Sequence, residues 1–134
     1  SFEEIKIFLE DKKFKNIKIK LINWKIRSDI DIIKSDVILL PYPNDNKRLV
    51  KSSNRIIESL NLGRFTVLSK ANQFSEFKDY TYYGDLSKGL IWFLDNREKA
   101  FKMTEAGQKY VLNNYSLNKV CEIWVKLFNE IIKN

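Results

Sequence analysis

Hydrophobic and polar positions recur along this chain with two different periods, and these periods predict an alternation of helices and strands. Apolar residues at helical spacing predict an amphipathic helix over 2–13. Apolar residues at every second position predict a strand over 17–23. A short helix is expected over 28–34. Val37–Leu40 has no polar alternation, which is typical of a strand covered on both faces.

A helix and two more strands follow in the pattern. Ser52 or Ser53 is suited to cap the start of a helix, and Gly63 is suited to end it in the left-handed conformation. Strands are expected over 65–68 and 80–83. The helix residues expected to face the sheet are Ile56, Ile57 and Leu60.

The rest of the chain predicts three helices, which begin after Asp85, Asn96 and Ser116. The apolar stripes expected on them are Leu86, Leu90, Phe93 and Leu94; then Ala100, Met103, Gly107, Tyr110 and Val111; then Val120, Trp124, Leu127 and Ile131. Alternating strands and helices favour a parallel sheet with helices on both faces. The predicted fold is therefore α/β: a Rossmann-like parallel sheet of about four strands flanked by helices, with a helical C-terminal tail.

Composition and charge narrow the classes of function. The 134 residues suit a single domain and carry a net charge of +7. Seven basic residues and no acidic one lie within 12–27, where several lysines alternate with apolar residues as on an ordinary solvated face. No run reaches the roughly 18 apolar residues of a membrane span, and no signal segment opens the chain, so a cytosolic location is expected.

The absence of histidine excludes several kinds of catalytic site within this chain. A histidine-based triad cannot form, because the chain contains no histidine. The single cysteine, Cys121, has no partner for a zinc site or a Cys-His pair, and its position on an apolar helical stripe predicts a buried structural thiol. No metal site is expected.

The stretch from Lys51 to Gly63 has the polar start of a helix that follows a strand. The N–H groups of Ser53, Asn54 and Arg55 have no intrahelical acceptors and lie at the positive end of the helix dipole. A diphosphate suits such a helix start, and Lys51 and Arg55 add positive charge while the hydroxyls of Ser52 and Ser53 can donate hydrogen bonds. The alternative is that Ser53 only caps the helix and Lys51 is solvated.

Four segments, in this order, resemble the C-terminal, donor-binding domain of GT-B glycosyltransferases, especially the group 1, family 4-like enzymes that build bacterial surface polysaccharides. They are Ser35–Pro41, Ser53–Gly63, Phe65–Ser69, and a helical tail containing Met103, Gly107 and Tyr115–Ser116. In that family two further strands and an acceptor domain precede the helix placed here at 2–13. The resemblance therefore implies that this single domain, 1–134, is a fragment of a larger two-domain enzyme.

The resemblance implies roles for individual residues. Glu58 would accept hydrogen bonds from the ribose hydroxyls of the nucleotide, although an exposed glutamate paired with Arg55 is the structural alternative. Lys51 is the expected catalytic residue, because it would stabilise the charge that develops on the leaving diphosphate. The family's second glutamate is replaced by Val50, which leaves the sugar and the stereochemistry open. The candidates for sugar or base contacts are Tyr42, Asn44 and Asp45.

The implied enzyme would transfer a sugar from a nucleoside diphosphate sugar to a hydroxyl acceptor, without a metal or a cofactor. Its partners would be the donor and the missing N-terminal acceptor domain, with peripheral membrane association of the full enzyme also allowed and no nucleic acid bound. We expect no transferase activity from the chain alone. We also expect part of the apolar stripe on the last helix to be exposed, because in this family that helix commonly crosses to the other domain.

Two other classes fit parts of the pattern. A flavodoxin-like or receiver-like signalling module shares the fold, but a receiver needs an acidic pair after its first strand, and the strand ends read Asn23-Trp24, Pro41-Tyr42 and Ser69-Lys70. A basic nucleic-acid module would suit the net charge, but the aromatic residues concentrate in helical stripes such as that of Trp124 and Phe128 instead of alternating with lysines.

Overall fold

The structure is a computed structural model that describes residues 18–23, 26, 29–42 and 52–132. In chain order the elements are α1 (Asp29–Ile33), β1 (Val37–Leu40), α2 (Asn54–Asn61), β2 (Phe65–Leu68), a 3-10 helix (Asn72–Phe77), β3 (Tyr82–Tyr83), α3 (Leu86–Asp95), α4 (Arg97–Tyr115) and α5 (Leu117–Ile132). These elements confirm an α/β fold with a helical C-terminal tail. The helix predicted over 2–13 lies outside the described residues.

Three strands form one parallel sheet in the order β1-β2-β3. Leu68 of β2 pairs with Leu40 on one side and with Tyr83 on the other. All four residues of β2 are buried, as expected for a central strand covered on both faces. The coverage predicted for β1 is incomplete, because β1 pairs with β2 alone among the described strands and Leu39 is 42% exposed.

Residues 18–23 contain neither helix nor strand, and their side chains are exposed. The strand predicted over 17–23 is therefore not seen in the part of it that the structure describes. Alternating apolar residues indicate which side chains could share a face, but a strand also needs a hydrogen-bonding neighbour. The described sheet accordingly has three of the roughly four strands that the sequence predicts.

Helix α2 packs against the sheet through the residues that its sequence predicts. Ile56 and Leu60 have no exposed surface, and Ile57 is half-buried against the same cluster. Gly63 has a φ of 65°, in the left-handed region where a side chain would be strained, and its N–H donates to the carbonyl of Leu60. The predicted helix stop at Gly63 is confirmed.

Two clusters of buried apolar side chains hold the helices to the sheet. One comprises Ile56, Leu60, Leu68, Phe74, Phe77 and Val111, and the other comprises Phe65, Val67, Phe93 and Ala100. Helix α4 contributes to both through Ala100 and Val111, while Gly107 is buried on the same stripe. A Cβ atom at Gly107 would lie 2.9 Å from Leu60 Cδ2, so a larger residue there would displace the Leu60 side chain between α4 and α2. The stripe predicted for α4 is confirmed.

The buried face of α3 is rotated from the predicted one. Leu86 and Phe93 pack against the core as expected, but Leu90 and Leu94 are exposed, and Gly89 is buried instead. A Cβ atom at Gly89 would lie 2.3 Å from Val67 Cγ1, which is closer than any side chain can approach. The helix therefore contacts the sheet through its glycine, and this close contact turns Leu90 and Leu94 toward solvent.

Helix α5 extends the chain beyond the core, and none of its residues is buried. The expectation of an exposed apolar stripe near the C-terminus is confirmed. The expectation that Cys121 is buried is wrong, because the apolar face on which it lies is uncovered. None of the helices described in the structure is both long and apolar enough to cross a membrane.

Candidate functional site

The carboxyl ends of β1 and β2 meet at one edge of the sheet, because the two strands are parallel and in register from Val37 with Phe65 to Leu40 with Leu68. The N–H of Ser69 donates to the carbonyl of Leu40 across this edge at 3.3 Å. A helix that joins two parallel strands begins near the carboxyl end of the first. The start of α2 therefore lies at this edge, where ligands of open α/β sheets usually bind.

Ser53 directly precedes α2 at the N-cap position, and its side chain does not cap the helix. The N–H groups of Ile56 and Ile57 both donate to the carbonyl of Ser53, at 2.9 and 3.0 Å. The Ser53 hydroxyl makes no capping hydrogen bond, and its backbone has φ −76° and ψ 6° instead of the extended conformation from which serine caps a helix. Ser53 is thus the predicted N-cap by position, while its hydroxyl is not committed to the helix.

Arg55 and Glu58 form an ion pair on the outer face of α2. The guanidinium Nη1 lies 3.5 Å from the Glu58 carboxylate, and the two side chains are 56% and 35% exposed. An i, i+3 pair of this exposure contributes little to stability. This pairing is the alternative to ribose binding that the sequence allowed for Glu58. It also places one cation and one carboxylate side by side near the helix start.

Tyr42 lies against the core at the end of β1 and within electrostatic reach of Arg55. Its ring centroid is 4.5 Å from that of Phe74, with the two rings tilted by 46°. Burial raises the pKa of the Tyr42 phenol above its ordinary value, and the nearby Arg55 charge opposes this shift. Tyr42 is thus a neutral hydrogen-bonding group beside the start of α2, with part of its ring occupied by core packing.

The loop that follows β2 is tied to β3 at the same edge. The Tyr83 hydroxyl accepts a hydrogen bond from the N–H of Ala71 at 2.9 Å and donates to the carbonyl of Ala71. Lys70, directly before Ala71, is exposed. Lys70 was not among the predicted site residues. Its position directly after an apolar strand, which resembles the position of Tyr42, could have indicated it.

Several predicted site residues lie outside the described part of the chain. Lys51, Asn44 and Asp45 belong to this group, as does Val50, and their roles stay predictions. The structure describes Ser52, which is exposed, and Asn54, which opens α2 and is also exposed. Of the predicted residues, the structure brings together Ser53, Arg55 and Glu58 on α2, with Tyr42 near Arg55.

Another cleft, of about 420 Å³, lies at the opposite edge of the sheet, where β1 and β2 begin. Arg64, Phe93, Arg97 and Phe101 line part of it, and the predicted site residues do not. Within the ranges that the structure describes, no group of three or more acidic, cysteine or histidine side chains is arranged to hold a metal ion.

Comparison with known proteins found no matching family model, no matching curated protein and no matching solved structure. The described fold defines the chain only as an α/β domain with a parallel sheet.

Proposed function

We propose that this chain is the donor-binding half of a GT-B-type glycosyltransferase and binds a nucleoside diphosphate sugar at the carboxyl edge of its sheet. The observation that carries the proposal is the start of α2, where an uncommitted serine hydroxyl, an arginine and a carboxylate lie within one short segment and the arginine is within electrostatic reach of Tyr42. The ordered resemblance of the surrounding segments to that enzyme class supports the same assignment.

The diphosphate would bind at the start of α2. The first N–H groups of a helix point away from its body and attract anions, so Ser53, Asn54 and Arg55 can donate to phosphate oxygens. The hydroxyls of Ser52 and Ser53 add donors, and Lys51 adds positive charge. Lys70, exposed after β2 at the same edge, is a further candidate for a phosphate contact.

The ribose would bind at Glu58. A carboxylate accepts two hydrogen bonds from a vicinal diol, and Glu58 lies just over one helical turn beyond the proposed phosphate position at Ser53. Its ion pair with Arg55 orients the Glu58 side chain on the outer face of the helix. An incoming nucleotide would then meet a cation for its diphosphate and a carboxylate for its ribose within one short segment.

Catalysis would come from interactions that strengthen as the glycosidic bond breaks. Negative charge accumulates on the leaving diphosphate, so amide donors fixed by α2, together with Lys51 as the catalytic residue, would stabilise the transition state more than the ground state. Tyr42, Asn44 and Asp45 are the candidates for base or sugar contacts. No metal or cofactor is part of this proposal.

The proposal includes parts of the enzyme beyond the described sheet. A fourth strand would pair with the open edge of β1, where Leu39 is exposed. The hydroxyl acceptor would be held by a separate N-terminal domain, so the chain alone would bind the donor without transferring the sugar. The full enzyme would work in the cytoplasm and could associate with the membrane surface.

Replacing Glu58 with glutamine tests the ribose contact. Glutamine replaces one of the two acceptor oxygens with an NH2 donor and removes the negative charge. Hydrogen bonds to charged groups contribute roughly 1.5–3 kcal/mol, so nucleotide affinity should fall by about tenfold or more. Titration calorimetry with UDP, GDP and ADP measures this change.

A matched control for this change is Glu122→Gln on α5, where Glu122 is likewise the carboxylate of an i, i+3 pair, 3.1 Å from Lys119. This control should leave nucleotide affinity unchanged. Equal affinity in wild type and Glu58→Gln would refute the ribose assignment.

A further inference from the structure

Helix α5 presents an apolar face that the rest of the described chain does not cover. None of its sixteen residues is buried, although the helix is rich in large apolar side chains. Their exposed fractions range from 38% at Val120 to 80% at Ile132. The nine large apolar side chains of this face are Leu117, Val120, Ile123, Trp124, Val125, Leu127, Phe128, Ile131 and Ile132. A surface of this composition is unusual for a chain that stays monomeric.

The apolar face of α5 has the geometry of a helix that pairs with another helix. At about 100° per residue, its nine side chains fill roughly 200° of the helix circumference, centred on Trp124. Within it Leu117, Trp124 and Ile131 alternate with Val120 and Leu127 in steps of four and three residues, as in the seam of paired helices.

The area of the face is sufficient for a stable interface between two chains. An aromatic side chain has roughly 200 Å² of surface and an aliphatic one somewhat less, so nine that are about half exposed offer on the order of 800–1,000 Å². The largest apolar patch on a typical monomer is roughly 300–600 Å², whereas a specific interface takes about 800 Å² from each partner. One copy of α5 can therefore supply its half of an ordinary dimer interface.

The charges of α5 favour a second copy of this chain over an anionic membrane. The polar half of the helix carries two lysines and two glutamates, which pair as Lys119 with Glu122 and Lys126 with Glu130. Helices that lie on anionic lipid instead carry an excess of lysine or arginine on their polar half.

We propose that two copies of this chain associate through the apolar faces of α5, with the same side chains contributed by both copies. The contact is isologous, so each Trp124 packs near the seam against the α5 residues of the other copy. The association does not depend on the proposed nucleotide site. A second copy of this chain thus covers the exposed stripe, in place of the other domain to which the resemblance assigned it.

Sedimentation velocity of the full chain over a range of concentrations tests this proposal. Wild type should sediment as a species of about twice 16.0 kDa, in a reversible equilibrium with the monomer. Trp124→Glu places a charge at the centre of the seam and should weaken the dimer by at least about thirtyfold, the loss expected for a central tryptophan. Since Trp124 is half exposed in the monomer, circular dichroism should show unchanged folding.

Phe101→Glu is the matched control, because Phe101 is an aromatic residue on α4 that is 65% exposed and lies outside the face. This control should leave the dimer intact. A wild-type chain that stays monomeric at all concentrations would overturn the proposal. So would a dimer that Trp124→Glu does not weaken, or that Phe101→Glu weakens equally. Flotation of a monomeric wild type with phosphatidylglycerol vesicles would assign the face to lipid instead.

Discussion

At Glu76 one carboxylate oxygen joins the 3-10 helix to the end of α4. The hydroxyl of Tyr115 donates to it at 2.8 Å and that of Tyr110 at 3.3 Å. Burial is the largest cause that raises the pKa of Tyr115, and the hydrogen bond to Glu76 and its negative charge add to the shift. The same causes raise the pKa of Tyr110. Both phenols therefore stay protonated in the folded protein at a pH where they would ionise in the unfolded chain.

These raised pKa values predict a loss of stability in alkali. Below the ordinary phenol pKa of about 10, both states are protonated and the contribution is fully present. Above it the folded state holds more protons than the unfolded state, so the free energy of unfolding falls as the pH rises toward the folded pKa. Urea unfolding of wild type and Tyr115→Phe at pH 8 and above pH 10 measures the difference. The variant should lose less stability with pH, and an equal loss in both would contradict the assignment.

Residues whose role depends only on their neighbours in sequence were predictable. Gly63 has the expected left-handed conformation, and Asp85 accepts from the N–H of Lys88 at 2.8 Å as an N-cap should. Ser53 was not predictable in the same way, because its cap geometry depends on how the chain enters α2. The ion pair between Arg55 and Glu58 follows from helical spacing alone, and so does not distinguish a structural role from a binding role.

At the scale of elements, the sequence predicts which segments are helices and strands better than it predicts which face they bury. Helices α2 and α4 bury their predicted stripes, whereas α3 is turned so that Gly89 contacts Val67. A hydrophobicity pattern does not include the space that a missing Cβ provides, because glycine counts as neither apolar nor polar. The strand expected over 17–23 would need a hydrogen-bonding neighbour strand, and the hydrophobic pattern of the segment does not specify one.

Ser53 and Asp85 both occupy N-cap positions, but only the Asp85 side chain caps its helix. Substitutions at these two residues should therefore separate effects on stability from effects on nucleotide binding. Asp85→Ala removes a side-chain cap and should lower the free energy of unfolding by about 1 kcal/mol. Ser53→Ala removes a hydroxyl that makes no cap, so it should change stability far less while weakening nucleotide binding. Urea unfolding and calorimetric titration of both variants check this expectation. A Ser53→Ala chain that is destabilised as much as Asp85→Ala, with unchanged nucleotide affinity, would show that Ser53 is only a cap.

At the scale of the whole molecule, the described chain is a small α/β domain with one polar, charged surface and one apolar surface that are candidates for binding. One is the carboxyl edge of the sheet, where β1, β2 and the start of α2 bring polar and charged groups together. The other is α5, whose apolar face lies away from the core. The first was predictable from strand order, whereas the occupant proposed for the second, α5 of another copy, is not specified by the pattern of a single chain.

The most direct test of the central claim is a titration of the isotope-labelled chain with UDP, GDP and ADP, followed by amide chemical shifts. We predict saturable shifts at Ser52–Glu58, with smaller ones at Tyr42 and Lys70, for at least one of the three nucleotides. Shifts confined to the opposite cleft near Arg64 and Arg97, or no shifts with any nucleotide, would contradict a nucleotide-sugar site at the carboxyl edge of the sheet.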